Sequence, residues 1–193
     1  MQPTERDCTV RMSAWSPALT AIQYNWLTYQ NDFSTKSEYR GTPTPELESM
    51  WESLYQYSHL VDLKQPADRE WARSPDDSTR IIANLEVYHQ LECLNTLRQH
   101  TYRQTYNYTG FPAFAGTEAQ IMTRLDQCIE VLRTTLMCAA DATPYLIKMA
   151  PDRPLGEGPD FNTLHQCRDF SKVTEWSRKN GLKSLIRGDT MVY

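Results

Sequence analysis

Two stretches of this chain, Tyr88-His89-Gln90-Leu91-Glu92-Cys93-Leu94-Asn95-Thr96-Leu97-Arg98 and Arg124-Leu125-Asp126-Gln127-Cys128-Ile129-Glu130-Val131-Leu132-Arg133, follow one order of residue types. Each puts a cysteine before an aliphatic residue and a Leu-Arg pair at the same later offset. In the first, Leu85, Tyr88, Leu91 and Leu94 or Asn95 recur at three- and four-residue steps, which predicts a long helix from Ile82 to about Tyr102. In the second, Ile121, Leu125, Cys128, Ile129, Leu132 and Leu136 make the buried stripe. That helix starts at Thr117, where Thr117 and Gln120 fit a capping box, and ends before Pro144. Residues three and four apart stack on a helix, so His89, Glu92, Cys93 and Thr96 share a face. The two stretches read as paired halves of one site.

The rest of the chain is organised around this pair. Residues 1–40 carry Trp15, Tyr24, Trp26, Tyr29, Phe33 and Tyr39 without a sustained period, the pattern of an extended arm with its best short strand at Ala21 to Tyr29. Thr44-Pro45-Glu46 is a helix start, with Thr44 as N-cap and proline in the first helical position, followed by an apolar stripe of Leu47, Met50, Trp51 and Leu54. Val61 to Arg80 reads as a loop broken by Pro66 and Pro75 and placed where a lid over the site would sit. Tyr102 to Phe114 reads as an aromatic connecting loop, and Ala150 to Asp160 as a Pro/Gly turn region. A last helix runs from about Gln166 to Asn180, with Gly181 as its stop. The expected fold is mainly α: a single domain with two antiparallel motif-bearing helices over residues 41–193, preceded by an N-terminal extended arm over 1–40 with little β structure.

At 193 residues the chain is long enough to bury a core in one domain. Its 20 basic and 24 acidic residues are mixed, and a net charge of −4 offers no basic stripe for a phosphate backbone, so nucleic acid is not an expected partner. No apolar run has the length needed to span a bilayer, and the N-terminus lacks a signal-peptide core. As given, the chain reads as soluble. Five cysteines, Cys8, Cys93, Cys128, Cys138 and Cys167, form no CxxC zinc pattern. Two disulfides with a spare thiol in an oxidising compartment, and reduced cysteines acting as small hydrophobes, both agree with the spacing. Asn107-Tyr108-Thr109 is a glycosylation acceptor by pattern, in a loop expected to be exposed. No GxSxG, HExxH, GxGxxG or Walker pattern is present, which leaves common hydrolase and nucleotide chemistry unsupported.

Individual residues carry less than their grouping. A half-buried, hydrogen-bonded imidazole explains a lone helical His89 as readily as a functional one does. Glu92, one turn on, shifts the balance, since a carboxylate there binds a metal with the histidine or holds its tautomer. Asp126 and Gln127 read equally as site groups and as solvated side chains on the outside of the second helix. His165 lies in the polar cluster Thr163-Leu164-His165-Gln166-Cys167 and is the best candidate to meet His89, although Thr163 also fits as a cap for the last helix. His59 and His100 read as surface residues.

Taken together, the paired stretches resemble the UstYa-like family of fungal secondary-metabolite biosynthesis, whose mark is two HxxHC motifs. Val87 to Arg98 resembles the first motif and Arg124 to Arg133 the second, while Leu136 to Pro144 and His165 to Phe170 resemble later signatures. Ser37 to Gly41 and Trp51 to Leu54 extend the likeness to roughly residues 15–180. The resemblance implies tailoring of a polyketide or peptide-derived small molecule, by ring closure, hydroxylation or halogenation, with motif histidines holding copper. It also implies an N-terminal membrane helix facing the secretory lumen; a membrane association is expected only if such a helix lies outside this sequence. Cys93, Cys128, Cys138 and Cys167 fall at signature positions, which implies pairing, most simply Cys93 with Cys128 and Cys138 with Cys167.

The chain departs from the motif in its histidines. His89 remains, and Glu92, Arg124 and Gln127 occupy the other three places. The expectation is a metal-independent ring-forming enzyme with no cofactor. Glu92 or His89 acts as acid or base, Arg124 and Gln127 are donors to a developing oxyanion, and Asp126 and His165 complete the set. The alternative keeps copper or iron on His89, Glu92 and His165 for oxygen chemistry. A third class is a non-catalytic partner in an oligomer with itself or with an intact family member.

Overall fold

The computed structural model describes Thr9 and residues 13–56, 59–61 and 81–181. In chain order the regular elements are a 3-10 turn (Pro17–Ala21), β1 (Tyr24–Thr28), α1 (Pro45–Ser53), β2 (His59–Val61), β3 (Ile81–Ala83), α2 (Glu86–Tyr102), a second 3-10 turn (Pro112–Phe114), α3 (Glu118–Ala139), β4 (Leu146–Met149), β5 (Glu157–Asp160), β6 (Leu164–Arg168) and α4 (Phe170–Asn180). The fold is mainly α, with three small antiparallel strand pairs among the described residues. The chain divides into a first unit, Met1–Ser37 with Asp141–Trp176, and a second, Glu38–Ala140 with Ser177–Tyr193. Asp141–Trp176 groups with the N-terminal segment rather than with the helices before it.

In the second unit the helix starts follow their local chemistry. Thr44 Oγ1 accepts from the Leu47 amide at 3.2 Å, and Pro45 occupies the first turn where a missing N–H costs nothing. Thr117 and Gln120 form the reciprocal capping box. α3 ends at Ala140 in the left-handed region, φ 41°, with its N–H on the Leu136 carbonyl at 2.9 Å. Arg103 Nη1 lies 2.6 Å from Glu118 Oε1 where the two helices are joined, and Cys93 is bonded to Cys128 ten residues further back along each, so α2 and α3 run antiparallel.

The buried side of α2 differs from the aliphatic stripe that periodicity suggests. Tyr88, Cys93, Asn95, Thr96 and Gln99 are buried, whereas Leu94 is exposed. The reason is a polar network centred on Glu48 of α1. Its Oε2 accepts from Arg98 Nη2 at 2.6 Å and Gln99 Nε2 at 2.8 Å, and its Oε1 from the Tyr108 hydroxyl at 3.1 Å. Arg98 also donates through Nε to Asn95 Oδ1 at 2.8 Å and lies over the Trp51 ring, and Asn95 Nδ2 donates to the Tyr55 hydroxyl at 2.8 Å. Tyr88 donates to Ser177 Oγ at 2.7 Å, fully buried. A carboxylate that satisfies three donors is stable away from water where an unpaired one is not.

Several sequence expectations are corrected. The α2 helix starts at Glu86, because Ile81–Ala83 pairs with His59–Val61 as a strand. Of the expected lid, Val61 belongs to β2 and the remainder lies outside the described residues, as does Cys8. Only Leu125 of the α3 stripe is fully buried; Ile129 and Leu136 are exposed. His100 is half-buried rather than a surface residue, with Nε2 shielded from solvent. Asn107 is exposed, but its Oδ1 accepts from the Thr109 amide and Tyr108 between them is buried against Glu48.

In the first unit, β1 pairs with β6 from Tyr24↔Arg168 to Thr28↔Leu164. Residues 164–168 therefore form a strand, and the last helix starts at Phe170 instead of Gln166. Asp169 Oδ1 caps it, accepting from the Ser171 amide at 2.9 Å. The expected turn region after Ala150 is the end of a hairpin, with β4 and β5 paired from Leu146↔Asp160 to Met149↔Glu157. Lys148 and Asn162 both reach Asp32, at 3.3 and 2.7 Å, and hold its carboxyl below the ordinary range, the Asn162 hydrogen bond first. No helix among the described residues is long and apolar enough to cross a membrane.

Candidate functional site

The two motif stretches lie on α2 and α3 of the second unit, and their cysteines meet. Cys93 and Cys128 are joined, with Cα atoms 4.8 Å apart, so the first expected bridge is present. Cys138 and Cys167, the other expected pair, are free thiols and belong to different units. Cys138 lies exposed near the end of α3 in the second unit, and Cys167 lies on β6 in the first, its Sγ 3.9 Å from the Tyr29 hydroxyl.

His89 precedes Cys93 by one helical turn and shares its face, which puts Nε2 at 4.0 Å from Cys93 Sγ, beside the bridge. Glu92 stands at the neighbouring position, half-buried, and loss of hydration pushes its carboxyl above the ordinary value. Tyr55, hydrogen-bonded to Asn95 on the same helix, is pushed up to about 12, mainly by burial and in smaller part by the charges of Glu52, Glu92 and Glu48. The corner near Glu92 thus favours protonated oxygens.

Arg124, one turn before Cys128, is engaged elsewhere. Its Nε donates to the Ala113 carbonyl at 3.0 Å and its Nη2 to the Ala115 carbonyl, fastening the Pro112–Phe114 turn to α3. Sequence reasoning missed this role because backbone carbonyls leave no trace in residue types. Asp126 and Gln127 are exposed on α3. His165 belongs to the first unit and His89 to the second. The His165 ring stacks on Tyr29 with centroids 3.9 Å apart, its Nδ1 lies 3.1 Å from Asp141 Oδ2, and its Nε2 lies 2.6 Å from Thr163 Oγ1. Asp141 and Thr163 were not singled out as site residues by sequence reasoning. For Thr163 the signal is the Thr-x-His alternation, which on a strand puts both side chains on one face; Asp141, distant in sequence, has none.

A copper site does not fit the motif positions as they stand. They offer one imidazole, one carboxyl shifted towards its neutral form, a guanidinium bound to two carbonyls and an exposed amide, and both cysteine sulfurs are consumed in the bridge. Among the described residues no group of three or more histidine, cysteine or carboxylate side chains is gathered closely enough to hold a metal ion.

Two antiparallel helices locked by a cystine at matched motif positions, over a polar-cored second unit, define a cystine-pinned helical scaffold with its ionisable groups beside the pin. The family model described as "Mycotoxin biosynthesis protein UstYa" matches residues 1–180, and the chain belongs to that family. It is similar to the UstYa family oxidase phomYc' of Diaporthe leptostromiformis, 35% identical over 185 residues that cover 94% of this chain and 68% of that protein. It is also similar to the transacylase cctO of Talaromyces islandicus, 33% identical over 198 residues, covering 96% of this chain and 66% of the relative. The hydroxylase cctR of the same organism is 24% identical over 173 residues, covering 85% and 58% respectively. No solved structure matches the chain.

Proposed function

We propose that this chain is a tailoring enzyme of fungal secondary metabolism that closes a ring on a polyketide- or peptide-derived small molecule by acid–base catalysis, with Glu92 as proton donor. The observation that supports this most is the burial of Glu92, which raises its carboxyl and keeps a proton available closer to neutral pH than an exposed glutamate does. His89, one turn earlier, is the second proton carrier, taking a proton from the substrate while Glu92 delivers one to a developing alkoxide or leaving hydroxyl. A cycloaddition, Michael-type closure or dehydration run this way needs no oxidant, and the product is an isomer of the substrate or its dehydrated form. Arg124 is left out of the chemistry, since two carbonyls already occupy its guanidinium.

A second reading, oxidation of the same class of substrate, is favoured by the names of the relatives, among them oxidases and a hydroxylase. Incubating the protein with intermediates of its pathway, with and without chelator and oxygen, separates the two by product mass. Isomeric or dehydrated product that survives chelation and anaerobiosis, and falls roughly 10²-fold or more in Glu92→Gln, is the expected result. Product that has gained oxygen or lost hydrogen in an oxygen-dependent way overturns the reading. So does an absence of turnover in isolation together with co-purification of an intact family member.

A further inference from the structure

The first unit contains a second set of ionisable and hydroxyl groups, independent of Glu92. The β1–β6 ladder fixes it: His165 stands opposite Leu27, and the Thr163 carbonyl accepts the Tyr29 amide at 2.9 Å just beyond the last ladder pair. Because side chains alternate along a strand, Thr163, His165 and Cys167 share one face, and Tyr29 covers the His165 ring at 16° between planes. Only 12% of the His165 side chain is exposed, so its ring is held in one orientation.

Asp141 is held from the other side. Its Oδ1 accepts from the Thr143 amide at 2.8 Å while Oδ2 faces His165 Nδ1 at 3.1 Å. The Thr143 hydrogen bonds, and secondarily His165, keep this carboxyl ionised to lower pH than usual. An ionised acceptor at Nδ1 selects the tautomer with the proton there, which leaves Nε2 as an acceptor for the Thr163 hydroxyl at 2.6 Å. The thiol on the same face points to the Tyr29 hydroxyl, 3.9 Å away.

We propose that Thr163, His165 and Asp141 form a hydroxyl–imidazole–carboxylate relay that takes an acyl group from a carboxylic ester onto Thr163 Oγ1. In the forward step the Thr163 proton moves to His165 Nε2, Oγ1 bonds to the acyl carbon, the bond from that carbon to the ester's alcohol oxygen breaks, and His165 returns the proton to the departing alkoxide. Water, or a second hydroxyl, then gives its proton to His165 and bonds to the acyl carbon. The Thr163 ester bond breaks, and the proton goes back to Oγ1. No oxidant or reductant enters. Thr163 is the nucleophile, His165 the base, and Asp141 a positioning residue that acts through His165.

The test uses the full chain carrying Cys167→Ala and p-nitrophenyl acetate as the probe. The expected result is a burst of p-nitrophenolate with acetyl found by peptide mass mapping on Thr163. Thr163→Val removes the adduct and slows release by about 10²-fold or more, while Thr163→Ser retains both. Asp141→Asn lowers the acylation rate constant and leaves the half-saturating ester concentration unchanged. Acetyl on lysines or Cys138 alone, release unaffected by Thr163→Val, or loss of the adduct in a folded Thr163→Ser protein each overturns the proposal.

Discussion

Replacing Glu48 with alanine removes the acceptor on which a buried guanidinium, a buried amide and a buried phenol all depend. The residue is 4% exposed, and Arg98, Gln99 and Tyr108 donate to its carboxylate at 2.6, 2.8 and 3.1 Å. Breaking a buried ion pair from one side leaves an uncompensated charge, a cost of about 3–5 kcal/mol. Two orphaned neutral donors add to this, but they share one cavity and water entering it serves both, so the terms do not sum. The expected loss is therefore about 4 kcal/mol. Tyr108→Phe, which removes one neutral donor and leaves the pair intact, should lose only about 1 kcal/mol. The exposed pair Arg103 with Glu118, 35% and 63% accessible, is the internal reference, and Glu118→Ala should cost well under 1 kcal/mol. Urea unfolding followed by circular dichroism at matched slope gives all three values. If Glu48→Ala unfolds within error of Glu118→Ala, the network is not what holds α1 to α2 and the reasoning fails. A paired change, Glu48→Leu with Arg98→Met, should recover much of the loss, because apolar side chains of similar volume often replace a buried pair at little net cost.

The Cys93–Cys128 bridge spans a separation of 35 residues, and opening it should destabilise the chain by about 3–4 kcal/mol on chain-entropy grounds. Urea midpoints for Cys93→Ser against the parent check this, and a non-reducing peptide map should show Cys93 linked to Cys128 with Cys138 and Cys167 open to alkylation. An unlinked Cys93 would refute the assignment. Glu92 gives a pH signature. Its folded carboxyl lies above the unfolded value of 4.5, so its contribution is complete below that value and is lost as pH rises through the folded one. Parent stability relative to Glu92→Gln should therefore fall as pH rises from about 4.5; a difference that stays flat or grows with pH contradicts a buried carboxyl.

Local rules carried the helix starts. Thr44-Pro45 and Thr117 with Gln120 are each complete within four residues, and both caps form as read. The strand pairs were harder, since Glu157-Gly158-Pro159-Asp160 has the composition of a turn and becomes a strand only opposite Leu146–Met149. Along β6 an alternation of exposed and half-buried residues was masked by the neighbouring helical run. The polar core of α2 was invisible because Asn95 and Gln99 look like surface residues until Tyr55 and Glu48 are placed beside them. The approach of His89 to Cys93 was legible from their four-residue spacing. The engagement of Arg124 and the partnership of Asp141 with His165 were not, because one depends on main-chain atoms and the other on a long separation in sequence.

The cystine between α2 and α3 has a consequence for how such a chain changes over generations. The covalent link holds the helix pair in register whatever side chains stand at positions 89, 92 and 127, so a substitution there acts on helices that are already pinned. The pin and the ionisable side chains are thus separate residues, one turn or one position apart. In this chain an imidazole, a carboxyl, a guanidinium and an amide stand at motif positions on two helices that a single covalent bond already aligns.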